Sequence, residues 1–444
     1  MNFIRWWLTG ILLFLPFQHN IIKIIRLWNS ELTVFVNRLD KFTIIILLPL
    51  AIREFYKKKK ISSRNYFILL FPVFALVIFG FISGMVNGNY MLVTIHGIFD
   101  YVKYFLVIFI YAAFFREFNE FKKVFRLLLI IAVFFGVVAF IQESWAMGNK
   151  YIFQKKITDI FYLDISELLR KSSYREPDWR IGIYRVPSLM INPLISGLYG
   201  LLIFTFYINI VKKGNFAVFF AVFSSIFGSV SRIVYTGFAC VAGLQIFKGK
   251  KWLIAILIPI AILLFYLSYQ PDFYIWKPKE PIKIYKQEIQ VSNDWENKSY
   301  RRYTKDKAIE IWKDHTIWGV GPGMYGGIVS IDYKSPIYEK YNFNPYAREI
   351  LESSKTIDQF WPQVLAESGI IGIGCFAWIF ISLFKSLSIL RKEALSYEVK
   401  GLFRGLIINL ILILSYTFGS SLNVPPIIFT YFAFVGIGLG CGME

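Results

Sequence analysis

The sequence predicts an all-α polytopic membrane protein with about twelve transmembrane helices and two large outer-face loops. Three observations predict it. Of 444 residues, 56% are hydrophobic and 19% aromatic, with a mean hydropathy of +0.52. Apolar stretches near twenty residues recur along the chain, each long enough to cross about 30 Å of hydrocarbon. Basic clusters fall in every second connection, as expected of loops that stay on the cytoplasmic side.

The first six apolar segments centre on residues 4–18, 38–52, 66–86, 92–114, 124–142 and 190–211. The others centre on 215–229, 232–247, 252–269, 361–384, 402–419 and 424–441. The first lacks a small-residue cleavage site and is followed by further spans, so a retained first span is expected. The chain divides into residues 1–143 (helices one to five), 144–189 (an outer loop), 190–269 (helices six to nine), 270–358 (a larger outer loop) and 359–444 (helices ten to twelve).

Orientation follows from short-loop charge. Lys57-Lys58-Lys59-Lys60, then Arg116, Lys122, Lys123 and Arg126, then Lys212-Lys213, alternate with the uncharged turn Asn87-Gly88-Asn89-Tyr90. Both termini are therefore expected in the cytoplasm, with the two long loops outside. The formal charge of +20 fits this loop bias better than a nucleic-acid partner. Cys240, Cys375 and Cys441 have no CxxC spacing, and His19, His96 and His315 are scattered. Neither a disulfide framework nor a metal centre is expected, and no pattern calls for a cofactor.

In the first outer loop, Ile157, Ile160, Phe161, Ile165, Leu168 and Leu169 recur at helical spacing, which predicts a helix lying on the membrane surface. The second outer loop opens with Pro271, Pro278 and Pro281, and a short helix is expected over roughly Tyr303 to Asp314, with Ala308, Ile309 and Trp312 on one side. Then comes the densest glycine run, Trp318-Gly319-Val320-Gly321-Pro322-Gly323-Met324-Tyr325-Gly326-Gly327. It lacks the Gly-Lys-Ser/Thr ending of a nucleotide loop. Topology also puts it outside, where ATP is scarce.

Four groups could carry chemistry. Arg185 precedes Asn192-Pro193, where Asn192 is a natural N-cap and Pro193 suits a first helical turn. Arg232 follows Ser229-Val230-Ser231 where two spans meet. An arginine at a span centre costs about 2.5–3.5 kcal/mol on insertion scales, so it either lines a cavity or snorkels to the interface. Arg301 and Arg302 stand ahead of the short helix. Guanidinium pairs and glycine-turn amides together could bind phosphate, although adjacent loop arginines are more often a solvated face. The fourth group is Asp358-Gln359, followed by Glu367 about two turns inside the tenth span. Asp358 is either a base on a hydroxyl or a carboxylate at a helix N-terminus. Asp100 and Lys103, three residues apart with His96 one turn earlier, read first as a structural pair.

In order and spacing these groups resemble the O-antigen ligase and polymerase superfamily of membrane glycosyltransferases. The resemblance rests on Arg185 with Asn192-Pro193 and on Ser229-Val230-Ser231-Arg232. It rests further on Arg301 with Asp314-His315-Thr316-Ile317-Trp318-Gly319-Val320-Gly321-Pro322-Gly323, and on Asp358-Gln359 with Leu365-Ala366-Glu367-Ser368-Gly369. It implies a fold like that of the C-type, lipid-dependent glycosyltransferases. It also implies metal-independent transfer of a glycan from a polyprenyl diphosphate carrier to a sugar hydroxyl, with inversion.

Carried onto this chain, the resemblance makes Arg185, Arg232, Arg301 and Arg302 the diphosphate ligands and Asp358 the group that activates the acceptor. Asn192, Gly319, Gly321, Gly323 and Glu367 would support them. Ligase-type members typically carry His-Asn where this chain has Asp358-Gln359: either Asp358 replaces the histidine as base or orienter of the acceptor, or the chain belongs to a polymerase branch, which is the favoured reading, or the residue is not a base at all. Transfer to a lipid core by a ligase is the first alternative. A flippase is the second, weakened by the lack of a visible internal repeat. The expected setting is a bacterial inner membrane, with the active site on the periplasmic or outer face. The expected partners are the bilayer, a lipid-linked donor, a glycan acceptor, a chain-length regulator and a flippase.

Overall fold

The computed structural model describes residues 2–26, 28, 30–57, 63–147, 179–180, 183–184, 188–190, 193–211, 214–229, 231–246, 300–354, 357, 359–418, 422 and 424–441. The ninth expected span, the helix over 157–170 and the proline-rich start of the second loop lie outside these residues.

The chain is a helical bundle. Its first part contains α1 (Asn2–Phe14), a 3-10 turn (Leu15–Phe17), α2 (Gln18–Arg26), α3 (Ser30–Asn37), α4 (Leu39–Lys57), α5 (Ser63–Val86), α6 (Met91–Phe114) and α7 (Phe118–Met147). A two-residue antiparallel ladder follows, β1 (Trp179–Arg180) with β2 (Ile183–Tyr184). Next come α8 (Pro193–Ile210), α9 (Phe216–Gly228) and α10 (Arg232–Ile246). The second long loop supplies α11 (Tyr300–Asp314), α12 (Ile328–Asp332), α13 (Ile337–Lys340) and α14 (Pro345–Ser354). Three helices close the chain: α15 (Phe360–Glu393), α16 (Tyr397–Thr417) and α17 (Pro425–Cys441).

Among the described residues, seven stretches are long and apolar enough to cross a membrane: Asn2–Arg26, Leu69–Val86, Met91–Phe114, Phe118–Trp145, Pro193–Ile210, Phe360–Glu393 and Tyr397–Thr417. The protein is a polytopic membrane protein. These seven do not confirm a total of twelve, since the ninth expected span lies outside the described residues and three others differ in the following ways. Helix α4 matches the second expected span in position but carries Asp40, Lys41 and an internal Pro49. Helices α9 and α10, expected as the seventh and eighth spans, hold 13 and 15 residues. At 1.5 Å per residue the described part of each reaches about 20 Å.

Two helices form the centre. Helix α8 buries sixteen of its eighteen residues, and α17 is buried from Ile427 to Gly440. Both are apolar on every face, the pattern of a helix surrounded by others. Helix α17 packs along α6, where Gly436 and Gly440 allow backbone contact: a Cβ at Gly436 would lie 2.4 Å from Ile108 O, and one at Gly440 2.0 Å from Phe115 O. Phe121, Phe125, Phe206 and Phe434 interlock edge to face. Such rings add about 0.5–1.5 kcal/mol per pair beyond burial.

Helix α11 begins three residues earlier than the sequence predicts. Its buried face is Thr304, Ala308 and Ile311, not Ala308, Ile309 and Trp312. The i, i+4, i+7 spacing of the observed face is one helical stripe, and it lies in a second apolar cluster with Val320, Tyr325, Tyr338, Phe343 and Ile357. The large loop thus has its own small core, which docks on α15.

Candidate active site at the broken helix

Helix α15 is interrupted at Gly369, where φ is +58° and ψ −157°. In a straight helix the Ile370 and Ile371 amides would bond to the carbonyls of Ala366 and Glu367. Here Ile370 donates to Thr316 O (3.1 Å) and Ile371 to Ile317 O (3.4 Å), while the freed carbonyls of Ala366 and Glu367 accept from Val320 N–H (2.9 Å) and Gly321 N–H (2.8 Å). The glycine run is threaded into the break and exchanges four backbone partners with it. Irregular backbone at membrane depth is tolerated only where such partners exist.

The other side of the run is satisfied by the turn between α5 and α6. Ser83 Oγ donates to Trp318 O (2.6 Å), Asn87 Nδ2 to Gly319 O (2.9 Å) and Asn89 Nδ2 to Val320 O (2.7 Å). Two asparagine amides thus do here what water would do for an exposed loop. Space also demands glycine at specific places. At Gly319 (φ +67°), a Cβ would meet the Glu367 carbonyl carbon at 2.4 Å, and a Cβ on Gly97 of α6 would meet Gly323 N at 2.4 Å.

This geometry bears on the two readings of the glycine run, phosphate-binding turn or scaffold. The amides of Gly319, Val320 and Gly321 already donate to His315, Ala366 and Glu367 carbonyls, Met324 N–H donates to Gly321 O, and Gly326 N–H donates to the Tyr338 hydroxyl. The run is buried and these amides are committed within the protein, which fits the scaffold reading. Gly319, Gly321 and Gly323 are the scaffold that joins the loop to α15.

Glu367 sits at the centre of this joint, fully buried. Tyr101 of α6 donates its hydroxyl to Oε2, and Tyr325 N–H donates to Oε1 at 2.7 Å. The Gly323 amide and the Gln363 side chain also bond to this carboxyl. The Tyr325 hydroxyl in turn donates to Thr304 O at 2.5 Å, and Thr304 Oγ1 donates to Arg301 O at 3.2 Å. One connected path therefore runs from α6 through Glu367 and Tyr325 to the first turn of α11, which bears Arg301 and Arg302. Both arginines are exposed.

The remaining expected site residues are placed as follows. Arg185, Asn192 and Asp358 lie outside the described residues. Ile357 and Phe360, on either side of Asp358 in sequence, are described: Ile357 N–H donates to Gly326 O (2.8 Å), and Phe360 opens α15. Arg232 opens α10, and its side chain lies outside the description. Just before it, Ser229 packs against Gly197 of α8, where a Cβ would come within 2.5 Å. The start of α10 is thereby held beside the second turn of α8, the helix that Pro193 begins.

Asp100 and Lys103 are paired at 3.0 Å, joined by Lys41 of α4 at 2.9 Å. His96 is not part of this cluster; its Nδ1 meets the Tyr333 hydroxyl at 2.9 Å. Beneath the glycine run, Gly97, Asp100, Tyr101, Tyr104, Phe105, Gly323, Gly327, Ile328, Val329, Phe360, Gln363, Glu367, Phe376 and Leu422 surround a cavity of about 60 Å³. Tyr101, Tyr325 and Gln363 were not singled out by sequence reasoning. An aromatic residue inside a glycine run was the one signal for Tyr325.

Residues 216–377 match the family described as O-antigen ligase. Over this stretch the chain is similar to that family. The stretch contains α9, α10, the large outer loop and α15 past its break, and within it lie Arg232, Arg301, Arg302, the glycine run, Asp358 and Glu367. Arg185, Asn192 and the α5–α6 turn precede it. A search of curated proteins finds no match to the chain.

Proposed function

We propose that this protein, which is similar to the O-antigen ligase family over residues 216–377, transfers a glycan from a polyprenyl diphosphate carrier to a sugar hydroxyl at the outer face of the plasma membrane, joining lipid-linked repeat units into polymer. The observation that carries this reading is that, within the matched residues, the broken helix and the glycine run line one cavity, and the Arg301 helix is tied to them through the Tyr325 hydroxyl and Thr304. The acceptor oxygen attacks the anomeric carbon, the bond from that carbon to the diphosphate oxygen breaks, and the configuration inverts. The acceptor proton passes to the Asp358 carboxylate, and Arg185, Arg232, Arg301 and Arg302 take the charge that develops on the departing diphosphate. Preorganised cations stabilise that charge more in the transition state than in the ground state. No metal is required in this scheme.

The description of the matched family favours a ligase, whereas the pair Asp358-Gln359 favours a polymerase. The purified protein, incubated with a lipid-linked repeat unit, separates the readings. A ladder of longer chains supports polymerisation, and single transfer to an added lipid-core acceptor supports ligation. The absence of any covalent product refutes both and leaves transport. Sidedness, with both termini cytoplasmic, is checked by the accessibility to reagents of cysteines introduced at each end.

A further inference from the structure

A second polar site lies away from the glycine run, in the seam where α7, α8 and α9 meet. Helix α8 runs antiparallel to both neighbours. On one side Phe121 and Phe125 of α7 pack on Phe206, and Phe135 packs on Tyr199 with ring centroids 6.1 Å apart. On the other, Asn215 N–H donates to the Tyr207 hydroxyl, and a Cβ on Gly200 would lie 3.2 Å from Ser225 Cβ. Gly136 of α7 backs onto the Ala221 carbonyl of α9. Phe135, Gly136, Tyr199, Gly200, Ala221 and Ser225 therefore form one layer.

The seam carries hydroxyls that pair with nothing. Ser196, Tyr199 and Ser225 are no more than 2% exposed, and among the described residues none of their oxygens has a hydrogen-bond partner. Comparable groups elsewhere do. Ser224 Oγ donates to Phe220 O and Thr205 Oγ1 to Leu201 O. Tyr111 and Tyr431, as deeply buried as Tyr199, donate to the carbonyls of Leu8 and Leu406. Glu143 adds a carboxylate whose two oxygens are both buried and likewise unpartnered among the described residues. It follows Gly136 by seven residues, so it lies on the same stripe of α7, about 10 Å further along the axis. Ser196 lies one turn from Gly200 in the same direction. The unpartnered groups thus mark the seam from Ser225 to Glu143.

Leaving such groups dry is costly, and for a lone carboxylate more so. Their spread decides what fills the seam. A single hard cation holds its oxygens at about 2.3–2.6 Å and cannot span a seam of about 10 Å. A lipid chain would leave every hydroxyl unpaired. Water both donates and accepts, and it bridges buried polar groups that do not reach one another.

We propose that the seam between α7, α8 and α9 is a bound-water site, a file of waters that joins Ser225, Tyr199 and Ser196 and solvates the Glu143 carboxylate. It is separate from the cavity beneath the glycine run and does not depend on the glycosyl-transfer reading. Through it a carboxylate held among the helices exchanges protons with water.

The test is X-ray hydroxyl-radical labelling of the purified full-length protein in detergent, read tyrosine by tyrosine by mass spectrometry. Radicals form from water in place, so a buried tyrosine is labelled only where water is bound beside it. Tyr199 should be labelled several times faster than Tyr111 and Tyr431, and equal rates for the three overturn the site. Thermal unfolding gives an independent reading. In a hydrated seam Tyr199→Phe loses bonds to water and lowers the melting temperature, whereas in a dry seam it removes an unpaired hydroxyl. An unchanged or raised melting temperature therefore also overturns the proposal. Glu143→Leu should bring Tyr199 labelling toward that of Tyr111, and labelling as fast as in the unsubstituted protein overturns the link to Glu143.

Discussion

Replacing Gly369 with alanine tests the exchange between α15 and the glycine run. At φ +58° and ψ −157° the backbone is in a region almost reserved for glycine, where another residue costs about 1–3 kcal/mol. The added Cβ would also lie 2.4 Å from Ile317 O and 2.7 Å from Thr316 O. These are the two carbonyls that accept from Ile371 and Ile370, so relieving the clash lengthens both bonds. At about 0.5–1.5 kcal/mol per net hydrogen bond, the total reaches about 2–6 kcal/mol, a large share of the stability of an ordinary domain. The control is Gly374→Ala in the same helix, where a Cβ meets nothing within 4 Å and alanine should gain up to about 1 kcal/mol in helix propensity. Thermal unfolding of the detergent-purified protein should show Gly369→Ala several degrees below wild type and Gly374→Ala at or above it. Equal melting temperatures for all three would refute the backbone exchange.

Other perturbations reach the same site. Glu367→Gln leaves one donor, from Tyr101 or Tyr325, facing an amide NH₂, and should destabilise by about 1–3 kcal/mol; adding Tyr101→Phe should cost less than the two single effects summed, and strict additivity in a double-mutant cycle would disprove the coupling. Arg232→Lys should lose most polymer in cells because a point ammonium cannot reproduce a bidentate fork, and near-normal chain length would remove Arg232 from the diphosphate site. Asp358→Asn should abolish polymer if its carboxylate takes the acceptor proton, and unchanged polymer would exclude that role. His315 has its pKa lowered, first by burial and then by the Lys340 ammonium 3.4 Å away, against a smaller opposing pull from Asp314. Its folded state binds fewer protons than its unfolded state, so the loop should weaken as pH falls below about 6.5. Hydrogen-exchange protection in α11, taken relative to the intrinsic amide exchange rate at each pH, should fall across that range in wild type and stay constant in His315→Gln.

The fold class was legible because hydropathy and loop charge are local properties of the chain. The ends of α6, α8 and α16 fall within a few residues of the apolar segments that predict them. The lengths of α9 and α10 were less legible, because the stretch from Phe216 to Ile246 is largely apolar on both sides of Ser229-Val230-Ser231-Arg232, and a count of hydrophobic residues does not fix where a helix starts or stops. The buried face of α11 was rotated by one residue, about 100° of helix, since Ile309, Ile311 and Trp312 are all apolar and only packing chooses among them. The glycine run and Glu367 were legible as separate candidates. Their joint was not, because Tyr325 lies 42 residues from Glu367, and Tyr101 lies 266 away. No periodicity encodes contacts of that range.

The exchange at Gly369 has a consequence for recombination between relatives. Residues 316–321 and 366–371 complete each other's backbone hydrogen bonds, and the carbonyls of 318–320 are completed by Ser83, Asn87 and Asn89. These three short segments are one interchangeable part, although more than two hundred residues separate the first from the others. A chimaera that imports the large loop inherits unpaired amides unless the helix break and the α5–α6 turn travel with it. The boundaries at which such proteins can be cut and rejoined are therefore set inside the helices, two turns past where the loop ends.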